Sequence, residues 1–235
     1  MKNISLKSMM VLALGGMMIV SQTTAYAQFG GLLGSKKSAD AGGATIDKDT
    51  FAKSADQAAG NLLAARIAFL DAKAKMMDAL QVKSDSVTKA SEALRAQEGS
   101  TSDKVKALDT ASKTTADADK EFEAKMAEST ELSAESKAKF ADGTVKFIEG
   151  VVLEKAQIET IQKLVEQGQS LVQSAGPLQK VGVLSVVKPV TTMSTMVPGD
   201  VKEGTSTLSK IIKFSQSQKI ELPKDATDKL GGLNP

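Results

Sequence analysis

Proline is missing from a long part of this chain, and its absence limits the folds open to the sequence. All five prolines lie at Pro177 or beyond, so none occurs between Thr45 and Ala175. Proline is the strongest helix breaker, because it lacks a backbone N–H and its ring clashes with the preceding turn. The same stretch is rich in Ala, Lys, Glu, Leu and Gln, which favour helix. The sequence therefore predicts a series of α-helices over these residues.

Apolar residues recur along this stretch with the spacing of helix faces, in steps of three, four or seven. A first helix is predicted to start at the N-cap Asp47 and to continue, with or without a break near residues 84–86, to Leu94. A second helix is predicted after the turn at Gly99, with Ser102 or Asp103 as its N-cap. The predicted buried faces are Phe51, Ala55, Ala58, Leu62, Ala65, Phe69, Met76 and Leu80, then Val105, Leu108, Ala111, Thr115, Ala118, Phe122 and Met126.

The clearest helical pattern follows Ser133, which is its predicted N-cap. Gly176 and Pro177 are predicted to end this helix, since glycine suits a left-handed terminator and proline cannot continue a helix. A seven-residue register makes up its predicted core face, formed by Phe140, Phe147, Val151, Ile158, Ile161, Val165, Val172 and Ala175.

The sequence pattern changes beyond Pro177. Residues 178–197 are apolar and rich in β-branched side chains, with Pro189 among them. The periodicity there does not decide between two short helices and a short hairpin. The Pro-Gly-Asp sequence at 198–200 is interpreted as a turn, and residues 201–217 as a last amphipathic helix.

These patterns predict an all-α fold. We expect an elongated bundle of three or four long amphipathic helices, together with an irregular Pro-containing segment and a short C-terminal helix. Residues 46–230 are predicted to form this single helical-bundle domain, followed by a tail at 231–235.

Residues 1–27 have the three parts of a secretory signal peptide. Two lysines precede an apolar run from Met9 to Val20, and Ala25-Tyr26-Ala27 supplies the small-x-small pattern that signal peptidase accepts. The apolar run is shorter than the roughly 20 residues needed to cross a bilayer. We therefore expect export to the periplasm, with secretion as the alternative. Residues 28–45 are rich in Gly and Ser and are predicted to form a flexible leader.

The charge balance argues against a nucleic-acid partner. The chain has 30 basic and 28 acidic side chains, and the predicted signal peptide removes Lys2 and Lys7 but no acidic residue. The remaining chain is electrically balanced and lacks the positive excess of a nucleic-acid binder. We expect another envelope protein or a second copy of the chain as the partner, with a membrane surface as an alternative.

The residue types of catalysis are largely missing. The chain has no Cys and no His, so it forms no disulfides and lacks the commonest bases, nucleophiles and transition-metal ligands. Nucleophile-elbow, Walker and dinucleotide glycine patterns are absent as well. The acidic run Asp117, Asp119 and Glu121 resembles a calcium loop, but Phe122 occupies the position that needs glycine. We predict no enzymatic activity, no cofactor and no metal site.

Two groups of apolar residues are candidates for contact with a membrane or a partner. The first group is an apolar cluster that could serve as a docking peptide, and the second belongs to the apolar segment that could be exposed on contact with lipid. They are Phe29, Leu32 and Leu33 in the leader, and Val183, Val186 and Val187 in the apolar segment 178–197.

Arg66 and Glu154 are charged residues that interrupt two predicted apolar faces. An ion pair between them would fix the register of the two helices. The alternative is that each side chain extends to the edge of its interface and keeps its charged end in water.

The function predicted from these features is that of an exported, non-catalytic helical bundle that serves as an interaction or binding module in the bacterial cell envelope. One alternative is a secreted membrane-active protein of the helical pore-forming type, which uses the apolar segment 178–197. A second alternative is a carrier of a small apolar ligand held inside the bundle.

Overall fold

The structure is a computed structural model that describes residues 47–129, 131–231 and 233. The described residues form helices and connecting turns, and the all-α prediction is confirmed. The predicted signal peptide, the leader and most of the 231–235 tail lie outside the described residues. The helices are α1 (Lys48–Ala79), α2 (Asp85–Arg95), α3 (Thr101–Glu128), α4 (Ala134–Ser174), α5 (Lys180–Ser217) and α6 (Lys224–Gly231).

The starts of the helices follow from short polar sequences. Asp47 caps α1 by accepting hydrogen bonds from the backbone N–H groups of Asp49 and Thr50 at 3.0 and 2.9 Å. Ser133 caps α4 in the same way, so both predicted N-caps are confirmed. The predicted N-cap of α3 is wrong by two or three residues. Ser100 is the N-cap, and it forms a capping box with Asp103, whose carboxylate accepts the Ser100 backbone N–H.

The bundle core is built on α4, which packs most extensively against α1 and next against α5. All predicted face residues of α1 and α3 are buried. On α4 the register is only partly as expected, because Ile158 is half-buried while Glu154 and Gln157 are buried. Glu154 lies seven residues from both Phe147 and Ile161, and Gln157 lies seven residues from both Gly150 and Leu164, so the two polar residues belong to the buried seven-residue series themselves. The predicted residues Ile158, Val165 and Val172 form a neighbouring series that is half-buried.

A close approach of α1 and α4 depends on Gly143. A Cβ at this position would lie 2.6 Å from Cγ of Met76 and 2.9 Å from the carbonyl oxygen of Ala72. Further along the interface, Gly150 faces Phe69. Residue numbers fall on α1 as they rise on α4, so the two helices run antiparallel.

The irregular segment predicted over 178–197, and the turn predicted at 198–200, are both wrong. Residues 180–217 form one helix, with Pro189 and Pro198 inside it. Each proline removes one backbone hydrogen bond, but the helix is held by burial of Val190, Met193 and Val197 against the bundle. Tertiary packing outweighs the local preference here.

Candidate functional site

The described residue with the most unusual environment is Glu154, in the middle of α4. Its relative exposure is 2 %. Its Oε1 lies 3.7 Å from Nη2 of Arg66 on α1, which is the pairing considered from the sequence. Glu154 therefore does not extend to the edge of the interface, whereas Arg66 is partly exposed.

A third residue, Asp200 on α5, completes this cluster and was missed by the sequence analysis. Nη2 of Arg66 donates a hydrogen bond to Oδ2 of Asp200. The guanidinium group thus joins α1, α4 and α5, and it also lies 5.9 Å from the ring centroid of Phe69. We call Arg66, Glu154 and Asp200 the charged cluster.

The hydrogen bonding of the charged cluster is incomplete. Oε2 of Glu154 and Nε of Arg66 are buried without a hydrogen-bond partner among the described residues. Burial raises the pKa of Glu154 to about 7. Arg66 acts in the opposite direction and lowers this pKa, while the negative charges of Asp200 and Glu203 raise it further. Glu154 can therefore gain or lose a proton near neutral pH.

A cavity of about 60 Å³ lies beside the charged cluster. Polar residues of three helices line it, including Lys73 of α1, Asp119 of α3 and Glu203 of α5, and Lys73 is paired with Asp119. The volume suits about two water molecules, at roughly 30 Å³ each, rather than an organic substrate. The cluster can bind a proton and can fix the relative positions of the helices.

A second polar contact lies near the charged cluster on the same pair of helices. The Asn61 amide donates to the Gln157 side-chain oxygen over 3.3 Å. With Arg66 and Glu154, this contact gives the α1–α4 interface two successive polar positions, which favours one register of α1 against α4.

A wide surface groove lies between α2 and α3, with a volume of about 590 Å³. Its floor is made of small or apolar side chains, and charged residues of both signs stand along its rim. The floor residues are Ala90, Ala93, Leu94, Ala107 and Ala111, and the rim residues include Lys89, Glu98, Asp103 and Lys106. We call this feature the α2–α3 groove.

The three valines that the sequence suggested as contact residues are not exposed on the surface. Val183 is buried in the core, and Val186 and Val187 are partly buried against it. The large apolar side chains exposed in this region are instead Leu178, Val181 and Leu184. Phe29, Leu32 and Leu33 lie outside the described residues.

Helix α5 is long and apolar enough to cross a membrane by length and composition alone. An 18-residue window in it has a mean hydropathy of 1.2, and 33 % of this window is buried in the bundle. Buried core helices of soluble proteins can meet the same criteria, so this property does not by itself identify a membrane span.

Among the described residues, no group of three or more His, Cys, Asp or Glu side chains is placed to hold a metal ion. The acidic run on α3 is helical and not a calcium loop, with Asp117 paired to Lys120.

The fold and these sites define an all-helical bundle with a buried charged cluster and an open groove. The chain matches no protein-family model, no curated protein and no solved structure.

Proposed function

We propose that this protein is an exported, non-catalytic helical bundle that acts as an interaction module in the bacterial cell envelope. The observation that carries this proposal is the α2–α3 groove. Export itself is supported by the signal-peptide pattern of residues 1–27.

The shape and chemistry of the groove favour an amphipathic helix of a partner protein. Small floor residues from both helices, such as Ala93 and Ala107, allow the helix of a partner to approach closely. Leu94 offers an apolar contact at the floor. The rim carries Lys89 and Lys106 beside Glu98 and Asp103, so it can pair with the mixed charges that flank the apolar face of an amphipathic helix.

The experiment is in-cell crosslinking of a tagged protein, followed by purification from its own envelope and identification of the captured protein. Ala93→Glu places a charge at an exposed residue of the groove floor, and Ala116→Glu makes the same change at an exposed position of α3 outside the groove. We expect Ala93→Glu to abolish capture and Ala116→Glu to retain it. Equal capture by both variants would reject the groove as the binding site.

Membrane activity of the pore-forming type is the second candidate, and the hydropathy of α5 is the observation that favours it. Insertion would require α5 to leave the bundle and to withdraw Val190 and Met193, both fully buried, from the core. Dye release from liposomes at submicromolar protein would support this candidate. We expect no release, because these contacts hold α5 in place.

A further inference from the structure

Three large apolar side chains are exposed where α4 connects to α5. Leu178 lies in the connection and is 98 % exposed, and Val181 and Leu184 in the first turns of α5 are 79 % and 50 % exposed. Val181 and Leu184 are three residues apart and therefore lie on the same side of the helix. We call these three residues the tip patch.

The surroundings of the tip patch are basic. Lys180 and Lys188 are exposed on α5, and the sequence has no acidic residue between Glu166 and Asp200. Lys48 of α1 also reaches this end, since its Nζ lies 3.4 Å from where a Cβ of Gly182 would be.

Two exposed acidic residues, Asp47 and Asp49, flank Lys48 in the sequence, so the start of α1 adds no excess positive charge. The positive charge beside the tip patch therefore comes from Lys180 and Lys188 on α5. A shallow groove of about 460 Å³ beneath the patch is lined by Lys48 and by apolar, small and amide residues, with no acidic side chain among them.

A second copy of the chain does not fit this surface well. Twofold pairing of the tip patch would bring Lys180 and Lys188 of both copies together, and the stretch of sequence that carries them has no carboxylate to neutralise them. A stable protein interface also covers about 800 Å² on each partner, which is much more than three side chains provide.

We propose that the tip patch binds the surface of an anionic lipid bilayer. The three apolar side chains enter the boundary between headgroups and acyl chains, and the lysines lie at the level of the lipid phosphates. The helices keep their packing, so this contact is peripheral and reversible. The inference rests on the proposed role as an exported binding protein, for which it names a second contact surface and its partner.

Tryptophan fluorescence can test this contact, because the chain has no Trp and its one Tyr, Tyr26, lies in the predicted signal peptide. Residues 28–235, which contain every described helix, would carry either Leu178→Trp or the control Ala116→Trp. Vesicles of phosphatidylethanolamine and phosphatidylglycerol, in a ratio of about 3:1, would supply the anionic surface. We expect a blue shift and quenching by brominated lipid for the Leu178→Trp protein only.

A charge-reversal pair tests the electrostatic part. Lys180→Glu with Lys188→Glu should weaken vesicle binding about tenfold or more, whereas Lys83→Glu with Lys213→Glu changes the net charge equally at exposed positions elsewhere and should have little effect. Three results would overturn the proposal: the protein does not bind the vesicles, the two double variants lose the same amount of vesicle binding, or the protein binds while the residue at 178 stays outside the bilayer. A blue shift that depends on protein concentration without lipid would also overturn it, in favour of self-association. None of these outcomes affects capture at the α2–α3 groove, so the two proposals fail separately.

Discussion

Arg66 on α1 reaches Glu154 on α4 with 3.7 Å between Nη2 and Oε1, while the other carboxylate oxygen of Glu154 has no hydrogen-bond partner among the described residues. A buried carboxylate with one distant cation is poorly compensated for the loss of hydration. The same guanidinium is shared with Asp200. The centre of the bundle therefore contains a group whose charge is costly at high pH, and two predictions follow from this.

The first prediction concerns stability and pH. The pKa of Glu154 is raised from its ordinary 4.5 to about 7 in the fold, so the folded state binds a proton more tightly than the unfolded state. The stabilisation from this proton is complete below about pH 4.5 and is lost as the pH rises through about 7. The glutamine side chain of the Glu154→Gln variant is uncharged at every pH. This variant should therefore avoid the loss in unfolding free energy, which is on the order of 3 kcal/mol.

Urea titrations followed by far-ultraviolet CD, at about pH 4 and about pH 8, would measure this effect. The control Glu159→Gln removes an exposed carboxylate from the same helix. We expect the difference between wild type and Glu154→Gln to grow at the higher pH. A constant difference would contradict the raised pKa.

The second prediction concerns Arg66. Arg66→Met leaves Glu154 and Asp200 without their shared cation, and breaking a buried pair in this way costs about 3–5 kcal/mol. The cost should be largest near pH 8, where Glu154 is ionised. Combining Arg66→Met with Glu154→Gln should cost less than the two single changes together, and a double-mutant cycle measures that coupling. Strict additivity would show that the two residues do not interact.

The third prediction compares two glycines within long helices. Gly143→Ala forces a Cβ against Met76 and against the backbone of Ala72, and such overpacking typically costs about 1–3 kcal/mol. Gly60 lies inside α1, and a Cβ added there would meet nothing within 4 Å. Gly60→Ala should therefore stabilise the protein by about 0.5–1 kcal/mol. Urea midpoints that move in the same direction for both variants would contradict the close approach at Gly143.

Local sequence was sufficient to predict those helix starts and buried faces that depend on neighbouring residues. The N-caps Asp47 and Ser133 and the apolar faces of α1 and α3 depend on residues a few positions apart, and these predictions are confirmed. The helix predicted at 201–217 is the second part of α5. The first part was predicted wrongly, because Pro189 argues locally against helix whereas distant contacts hold it. In one of these, a Cβ at Gly168 would lie 3.1 Å from Val187.

The charged cluster was predictable only in part. Arg66 and Glu154 stand out because each interrupts an apolar face, but Asp200 lies 134 residues from Arg66 in the sequence and no local pattern connects them. The tip patch was missed for a related reason. The start of α5 is apolar on several sides, so periodicity could not distinguish buried Val183 from exposed Leu184.

The fourth prediction compares two adjacent residues of α4, the buried Ile161 and the exposed Gln162. Ile161 is 1 % exposed, and Ile161→Ala should leave a cavity that costs roughly 2–5 kcal/mol. This is a large part of a typical stability of about 5–15 kcal/mol. Gln162 is exposed, so Gln162→Ala should change the unfolding free energy by no more than about 0.5 kcal/mol. Ile158→Ala should fall between the two, because Ile158 is only half-buried. CD-monitored urea titrations would compare the midpoints, and an unchanged midpoint for Ile161→Ala would mean that this side chain lies outside the core and serves a contact surface instead.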